Sequence, residues 1–232
     1  MNPAVLLLPE SDAVHSYPVW TFMMADAPRL FLITPKLADA AAFAPHLAAA
    51  LEAADVACLL LRANDRDDHT IKALVRDLAP MAQGRGAAVL VEQSARLAAR
   101  LDVDGVQIEG TGEELDAALQ TLRPHKIVGA GGLAGRDAAM SAGEAGVDYL
   151  MFGGPETSLT ADAILEDVAW WAGIFNVPCV GYARHPGDAA GLAAAGAEFV
   201  ALCEGLWDRP AEAPALLRAV QETLLSMPES VR

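Results

Sequence analysis

Short apolar runs alternate with longer alanine-rich stretches along most of the chain. The longer stretches, such as FAPHLAAALEAA and EELDAALQTL, show the spacing of amphipathic helices. The short runs predict eight strands, at Leu30–Thr34, Val56–Leu61, Ala87–Val91, Gly105–Ile108, Ile127–Ala130, Tyr149–Phe152, Cys179–Tyr182 and Phe199–Leu202. Because helices and strands alternate, the pattern predicts βαβ units and a parallel sheet.

Eight such units predict a single α/β domain, a (β/α)8 TIM barrel over residues 29–226, preceded by an N-terminal extension over residues 1–28. An open doubly wound sheet is the alternative, but no GxGxxG motif follows the first strand. The segments LDVDGVQI, AGVDYLMF and AGAEFVAL each place an acid directly before an apolar strand. A recurring connection from helix to strand would produce this repeated pattern.

The net charge of −15 argues against nucleic acid and anionic membranes as partners. Any phosphate site must therefore be built from local cations and backbone amides. Cys58, Cys179 and Cys203 lie in separate apolar runs, which indicates buried thiols and a cytoplasmic protein. The chain opens with no signal-peptide pattern, and no apolar run approaches the ~18 residues that a membrane span needs.

Charged side chains follow the predicted carboxyl ends of the strands, where a barrel places its chemistry. Four glutamates and two arginines occupy these positions: Glu92, Glu109, Glu156, Glu204, Arg62 and Arg184. They are either solvated loop residues and ion-pair partners, or the walls of a mixed-charge pocket. Such a pocket would bind a metal or a cationic or zwitterionic small molecule.

Several segments together resemble thiamine-phosphate synthase and its relative, the TenI-type aminothiazole tautomerase. They are RLFLITP, LDVDGVQI, KIVGAGG, AGVDYLMFGGPETS, and NVPCVGY with the later AAAGAEFVAL. The resemblance covers residues 29 to 208 and implies a transferase of thiamine biosynthesis. The implied reaction joins hydroxymethylpyrimidine pyrophosphate to thiazole phosphate and releases pyrophosphate, whose charge Mg²⁺ neutralises.

The resemblance assigns candidate catalytic roles to three residues, although most ligand positions of the family carry other side chains here. Arg62 is retained after the second strand, but Asn64 replaces the family's lysine, while Glu92 and Gln93 replace Asn-Asp after the third strand. The family's second metal aspartate is missing, with Glu109 a few residues away. The resemblance therefore implies Arg62, Glu92 and Glu109 as catalytic residues and Glu92 as the Mg²⁺ ligand.

Further candidate ligand-binding residues, beside Asn64 and Gln93, follow strands five to eight. They are Gly131, Gly154, Thr157, Ser158, Arg184, His185 and Glu204. Arg184 stands at a glycine of the family's phosphate loop, and Glu204 stands at a phosphate-binding serine.

An anion beside Glu204 is disfavoured, because two unit charges ~4 Å apart interact by about 4 kcal/mol at an effective dielectric near 20. That energy corresponds to roughly a thousandfold in phosphate affinity. Arg184 either holds the phosphate itself, replacing the family's amide contacts with a charged group, or pairs with Glu204 and closes the phosphate site, and the charges favour the pair.

Three functions remain open from the sequence. The chain is a family enzyme whose standard activity is weak or lost, a non-catalytic barrel that binds a ligand or partner protein, or an enzyme with a changed, glutamate-lined site. The expected ligand is a small molecule, with or without a phosphate group. One of Trp170 and Trp171 is expected to be exposed, where it would mark a homodimer contact.

Overall fold

Eight parallel strands close into a barrel in chain order in the computed structural model, which describes residues 27–65 and 67–227. The strands are β1 (Arg29–Ile33), β2 (Val56–Leu61), β3 (Ala88–Glu92), β4 (Gly105–Glu109), β5 (Ile127–Gly131), β6 (Tyr149–Phe152), β7 (Cys179–Ala183) and β8 (Phe199–Leu202). Each lies within one residue of its predicted bounds, and the predicted (β/α)8 fold is confirmed. The predicted N-terminal extension lies outside the described residues, apart from positions 27 and 28.

Helices cover the outside of the barrel. They are α1 (Ala44–Ala53), α2 (Asp68–Gln83), α3 (Ala95–Ala98), α4 (Glu113–Leu122), α5 (Arg136–Ala145), α6 (Ala161–Ala172), α7 (Ala189–Ala194), α8 (Glu204–Trp207) and α9 (Ala213–Leu225). Side-chain caps fix two of the starts, since Asp67 accepts from His69 N at 2.9 Å and Thr160 accepts from Ala163 N at 3.2 Å. Among the described helices, none is long and apolar enough to cross a membrane.

The core consists of strand side chains and of the helix faces packed on them. All three cysteines are buried free thiols, as predicted. Trp171 is also buried, whereas Trp170 is half-buried and lies under the Arg136 guanidinium, 4.7 Å from the ring centroid. The homodimer contact at this pair of tryptophans stays a prediction.

The predicted helix-to-strand joints are present at the amino-terminal end of the barrel. In each, an acid before an even-numbered strand accepts from a backbone N–H near the start of the preceding strand. The pairs are Asp104 with Val89 N at 2.7 Å, Asp148 with Val128 N at 2.8 Å, and Glu198 with Cys179 N at 2.8 Å. Asp55, before β2, instead accepts from the Arg29 side chain of β1 at 3.0 Å. The hydrogen bond between a loop acid and the preceding strand therefore recurs every two strands around the barrel.

Candidate ligand site at the barrel mouth

A cavity of about 500 Å³ opens at the carboxyl ends of the strands. Polar side chains from the ends of β2, β3 and β4 enter it, and residues 132–135 and 153–159 form its other side. Its apolar walls come from Ile33, Leu60, Leu133, Met151 and Leu159. A cavity with a few polar groups in apolar walls has the size and chemistry of a small-molecule site.

Arg62 supplies the positive charge of the cavity wall, and two glutamates already hold it. Its side chain is 6% exposed, and it donates from Nε to Glu92 Oε1 at 3.1 Å and from Nη2 to Glu156 Oε1 at 2.7 Å. Burial acts to lower the pKa of Arg62, but Glu92 and then Glu156 outweigh burial and raise it. Any anionic ligand must compete with these two carboxylates for the guanidinium.

The loop between β6 and α6, residues 153–160, reaches across the mouth. In a closed ring of eight strands β6 lies opposite β2, yet Glu156 of this loop contacts both Arg62 and Lys36. The loop can turn over the cavity because Gly153 adopts a φ of +83°, and a Cβ there would lie 2.9 Å from Tyr182 Cβ. The β6–α6 loop therefore forms a roof that is tied to the opposite rim.

Glu109 is held from below by a buried chain of polar side chains. Gln107 is fully buried, accepts from the Tyr149 hydroxyl and donates from Nε2 to Glu109 Oε1 at 3.1 Å. The carboxylate itself is open to the cavity, but burial among the walls raises the pKa of Glu109. The Gln107 bond opposes that rise in pKa, and the charge of Glu92 adds to it.

Two glycines of β5 make room for this chain. A Cβ on Gly129 would lie 2.0 Å from Tyr149 Cζ, and a Cβ on Gly131 would lie 2.4 Å from Gln107 Nε2. Gly131 was expected to contact a ligand, but it does not line the cavity. Its part is to leave space for the amide that orients Glu109.

The structure brings seven of the predicted site residues to one cavity. They are Arg62, Glu92, Glu109, Gln93, Gly154, Thr157 and Ser158. Five others do not line it, namely Asn64, Gly131, Arg184, His185 and Glu204. The predicted rim therefore divides into a β2–β6 part that forms a cavity and a β7–β8 part that does not share it.

The predicted pair between Arg184 and Glu204 is wrong. Among the ion pairs of residues 27–65 and 67–227, none joins these two side chains, and Arg184 Nη1 donates to the Leu159 carbonyl at 2.7 Å. The β6–α6 loop lies within reach of the guanidinium and offers it a backbone acceptor. Glu204 instead begins α8, where a carboxylate in the first helical turn is favoured.

Lys36, Gln107 and Tyr149 belong to the site but were not predicted as site residues. Lys36 follows β1 by three residues. The expectation that charged residues after a strand lie at the barrel mouth therefore applies to Lys36 as well. Gln107 interrupts the apolar run GVQI, and an amide in a buried strand indicates a specific hydrogen-bond partner. The sequence does not indicate a site role for Tyr149, because a tyrosine in a buried strand is ordinarily a packing residue.

The fold and this cavity define a class of protein: a (β/α)8 barrel with a charged small-molecule site at the carboxyl ends of its strands. Within that class, the sequence profile described as "Thiamine monophosphate synthase" matches residues 30–206. The chain belongs to this family.

Relatives at high coverage agree with this assignment. A thiamine-phosphate synthase of Rhodospirillum centenum is 41% identical over 196 residues, which are 79% of this chain and 91% of that protein. One of Hyphomonas neptunium is 36% identical over 209 residues, which are 84% of this chain and 95% of that protein. The thiamine phosphate pyrophosphorylase structure from Pyrococcus furiosus aligns with a TM-score of 0.72 at 21% identity, over 88% of this chain and 100% of that one, and shares the fold.

The Mg²⁺ that the resemblance implies does not fit a site made by the protein alone. Among the residues that the structure describes, no three His, Cys, Asp or Glu side chains gather as metal ligands. Glu92 and Glu109 are the carboxylates nearest the predicted role, and Mg²⁺ accepts so few only when substrate phosphates complete its shell. Glu92 already forms an ion pair with the Arg62 guanidinium, which weighs against the predicted role of Glu92 as a metal ligand.

Proposed function

We propose that this family member binds a small molecule in the mouth cavity and that the family's standard, pyrophosphate-releasing reaction is weak or lost in it. The observation that carries the proposal is the double ion pair of Arg62 with Glu92 and Glu156. The family reaction needs a free cation for pyrophosphate. Here the cation that lines the cavity, within the described part of the chain, is already neutralised.

A synthase assay tests the proposal. Pyrophosphate release from hydroxymethylpyrimidine pyrophosphate and thiazole phosphate is measured with Mg²⁺, beside the Rhodospirillum centenum relative as the positive control. We expect release at least about a hundredfold slower than in the relative, since about 3 kcal/mol of lost charge stabilisation suffices for that factor. A rate equal to that of the relative would reject the proposal.

The Glu156→Gln variant tests the physical reason. Removing the carboxylate frees Lys36 and the Nη2 group of Arg62 for an anion, while Glu92 still holds Arg62 Nε. An ion pair this exposed is worth up to about 1 kcal/mol, which corresponds to about a fivefold gain in affinity for pyrophosphate. Calorimetric titration with magnesium pyrophosphate measures the gain.

The matched control is Glu222→Gln, which removes the same charge from α9, near its carboxyl end and away from the mouth. If both variants gain affinity equally, the effect comes from the net charge of the protein, and the blocked arginine is not its cause.

A changed, glutamate-lined site is the second candidate function, and Glu109 favours it. This carboxylate faces the cavity and forms no ion pair with any cation of the described residues. The assay above does not decide between this candidate and a non-catalytic barrel that binds a ligand or partner. Both would bind a ligand in this cavity, and the charge balance of the cavity indicates the chemical character of that ligand.

A further inference from the structure

The charges around the cavity do not cancel. Lys36 and Arg62 are the cations, and Glu92 and Glu156 are bound to them through close contacts. Glu109 is then left over, so that the described site carries one uncompensated negative charge. Glu109 is exposed at the mouth and has no cation partner among the described residues, so a ligand that supplies the missing positive charge can pair with it.

Glu109 is also fixed in place before any ligand arrives. Its Oε1 accepts from the fully buried Gln107, whose own carbonyl is held by Tyr149. Its Oε2 lies over Gly132, so close that a Cβ there would be 2.3 Å away. A carboxylate held by a neutral amide keeps its charge for the ligand and loses little side-chain freedom on binding.

The walls above Glu109 select the rest of the ligand. Leu60, Met151 and Leu133 present apolar surface, and the β6–α6 loop covers the cavity from the other side. These surroundings suit an apolar or aromatic body that carries one cationic group. A phosphorylated ligand would instead place its anion among three carboxylates, since Glu92, Glu109 and Glu156 all line the cavity.

We propose that the cavity binds a small organic cation without phosphate, an amidinium or protonated amine on an apolar body, with Glu109 as its counter-ion and with Gln107 and Tyr149 as positioning residues. This inference rests on the second candidate of the proposed function, a changed ligand site at the mouth. An amidinium presents two parallel N–H donors, which match the two oxygens of a carboxylate.

Calorimetric titration of the full chain with benzamidine tests the proposal, with benzamide as the neutral ligand of the same shape. We expect benzamidine to bind at least about tenfold more tightly than benzamide, because a hydrogen bond between two charged groups is roughly twice as strong as a neutral one. Glu109→Gln should remove that preference, while the charge-matched Glu222→Gln should keep it. Absence of benzamidine binding, or equal binding by Glu109→Gln, would overturn the proposal.

Tyr149→Phe separates positioning from folding. The variant releases the Gln107 carbonyl and so loosens the amide that orients Glu109. We expect benzamidine to lose about threefold to tenfold in affinity, with benzamide unchanged and near-ultraviolet circular dichroism retained. Equal loss for both ligands would mean that Tyr149 only maintains the shape of the cavity, and would reject its positioning role.

The outcome is independent of the synthase assay. Fast pyrophosphate release would reject the proposed loss of the family reaction, whereas the benzamidine titration alone decides the cation site.

Discussion

The raised pKa of Glu109 predicts that its charge destabilises the folded protein at neutral pH. Burial raises its pKa above the ordinary value of 4.5, so the folded state disfavours the charged form. This cost is fully present above the folded pKa and vanishes as the pH falls below the unfolded one. We expect Glu109→Gln to melt at a higher temperature than the natural protein at pH 7, and the difference to shrink toward pH 4. Melting curves across this range measure it.

The comparison has an internal check in Glu222→Gln, which changes the same net charge on an exposed face of α9. Its melting temperature should differ from that of the natural protein by less than that of Glu109→Gln over the whole pH range, because an exposed carboxylate near a helix carboxyl end is only weakly disfavoured. A Glu109→Gln advantage that grows as the pH falls would contradict a raised pKa at Glu109.

Gly129 is a residue that cannot be enlarged without moving the site. A Cβ at this position would overlap the ring of Tyr149, with 2.0 Å to Cζ and 2.4 Å to the hydroxyl oxygen. We expect Gly129→Ala to cost about 1–3 kcal/mol of unfolding free energy, as overpacking in a core does. Urea denaturation measures the loss.

Gly187→Ala provides the contrast, because a Cβ there meets nothing within 4 Å. If Gly129→Ala were as stable as Gly187→Ala, the ring of Tyr149 would not be confined as described.

At this scale the sequence indicated which side chains reach the mouth but not how they pair. Arg62, Glu92 and Glu109 all line the cavity, because each follows a strand and strand ends are fixed by the barrel. Arg184 was expected to meet Glu204, its neighbour across β7 and β8, and instead binds the Leu159 carbonyl. That partner depends on the path of a loop, which apolar periodicity does not encode.

At the scale of elements, the acidic joints tie each even-numbered strand to the strand before it. Asp148 accepts from the buried Val128 N–H, and burial raises the pKa of this carboxyl. We expect Asp148→Ala to destabilise the protein by about 1–3 kcal/mol, because it leaves a buried donor without a partner. Thermal or urea unfolding gives the value.

Asp148→Asn keeps an acceptor oxygen and removes the buried charge, so it should stay within about 0.5 kcal/mol of the natural protein. If the two variants were equally destabilised, the charge of Asp148, and its 3.8 Å contact with Arg123, would matter more than the joint.

The strands were predictable for a physical reason. In a parallel barrel both faces of a strand are buried, so each strand appears as a continuous apolar run with sharp ends. The longer helices carry enough turns to show a period, as α4 does over Glu113–Leu122. The four-residue helices α3 and α8 complete little more than one turn, too short for a periodic pattern.

At the scale of the whole molecule, the net charge of −15 and the uncompensated Glu109 act in the same direction. A negative surface draws cations toward the protein and repels anions before either reaches the mouth. The barrel itself followed from the order of strands and helices. The contact across its mouth did not, because it joins Glu156 to Arg62, which are far apart along the chain and on opposite sides of the ring.

The tie of the β6–α6 loop to the opposite rim makes the cavity responsive to ionic strength. The Glu156 side chain is 66% exposed, so dissolved ions screen its attraction to Lys36 and Arg62 and loosen the roof. Glu109 is also exposed at the mouth, so the same ions screen its attraction to a cation. Added salt should therefore both speed the entry and exit of a cation and weaken its binding at Glu109.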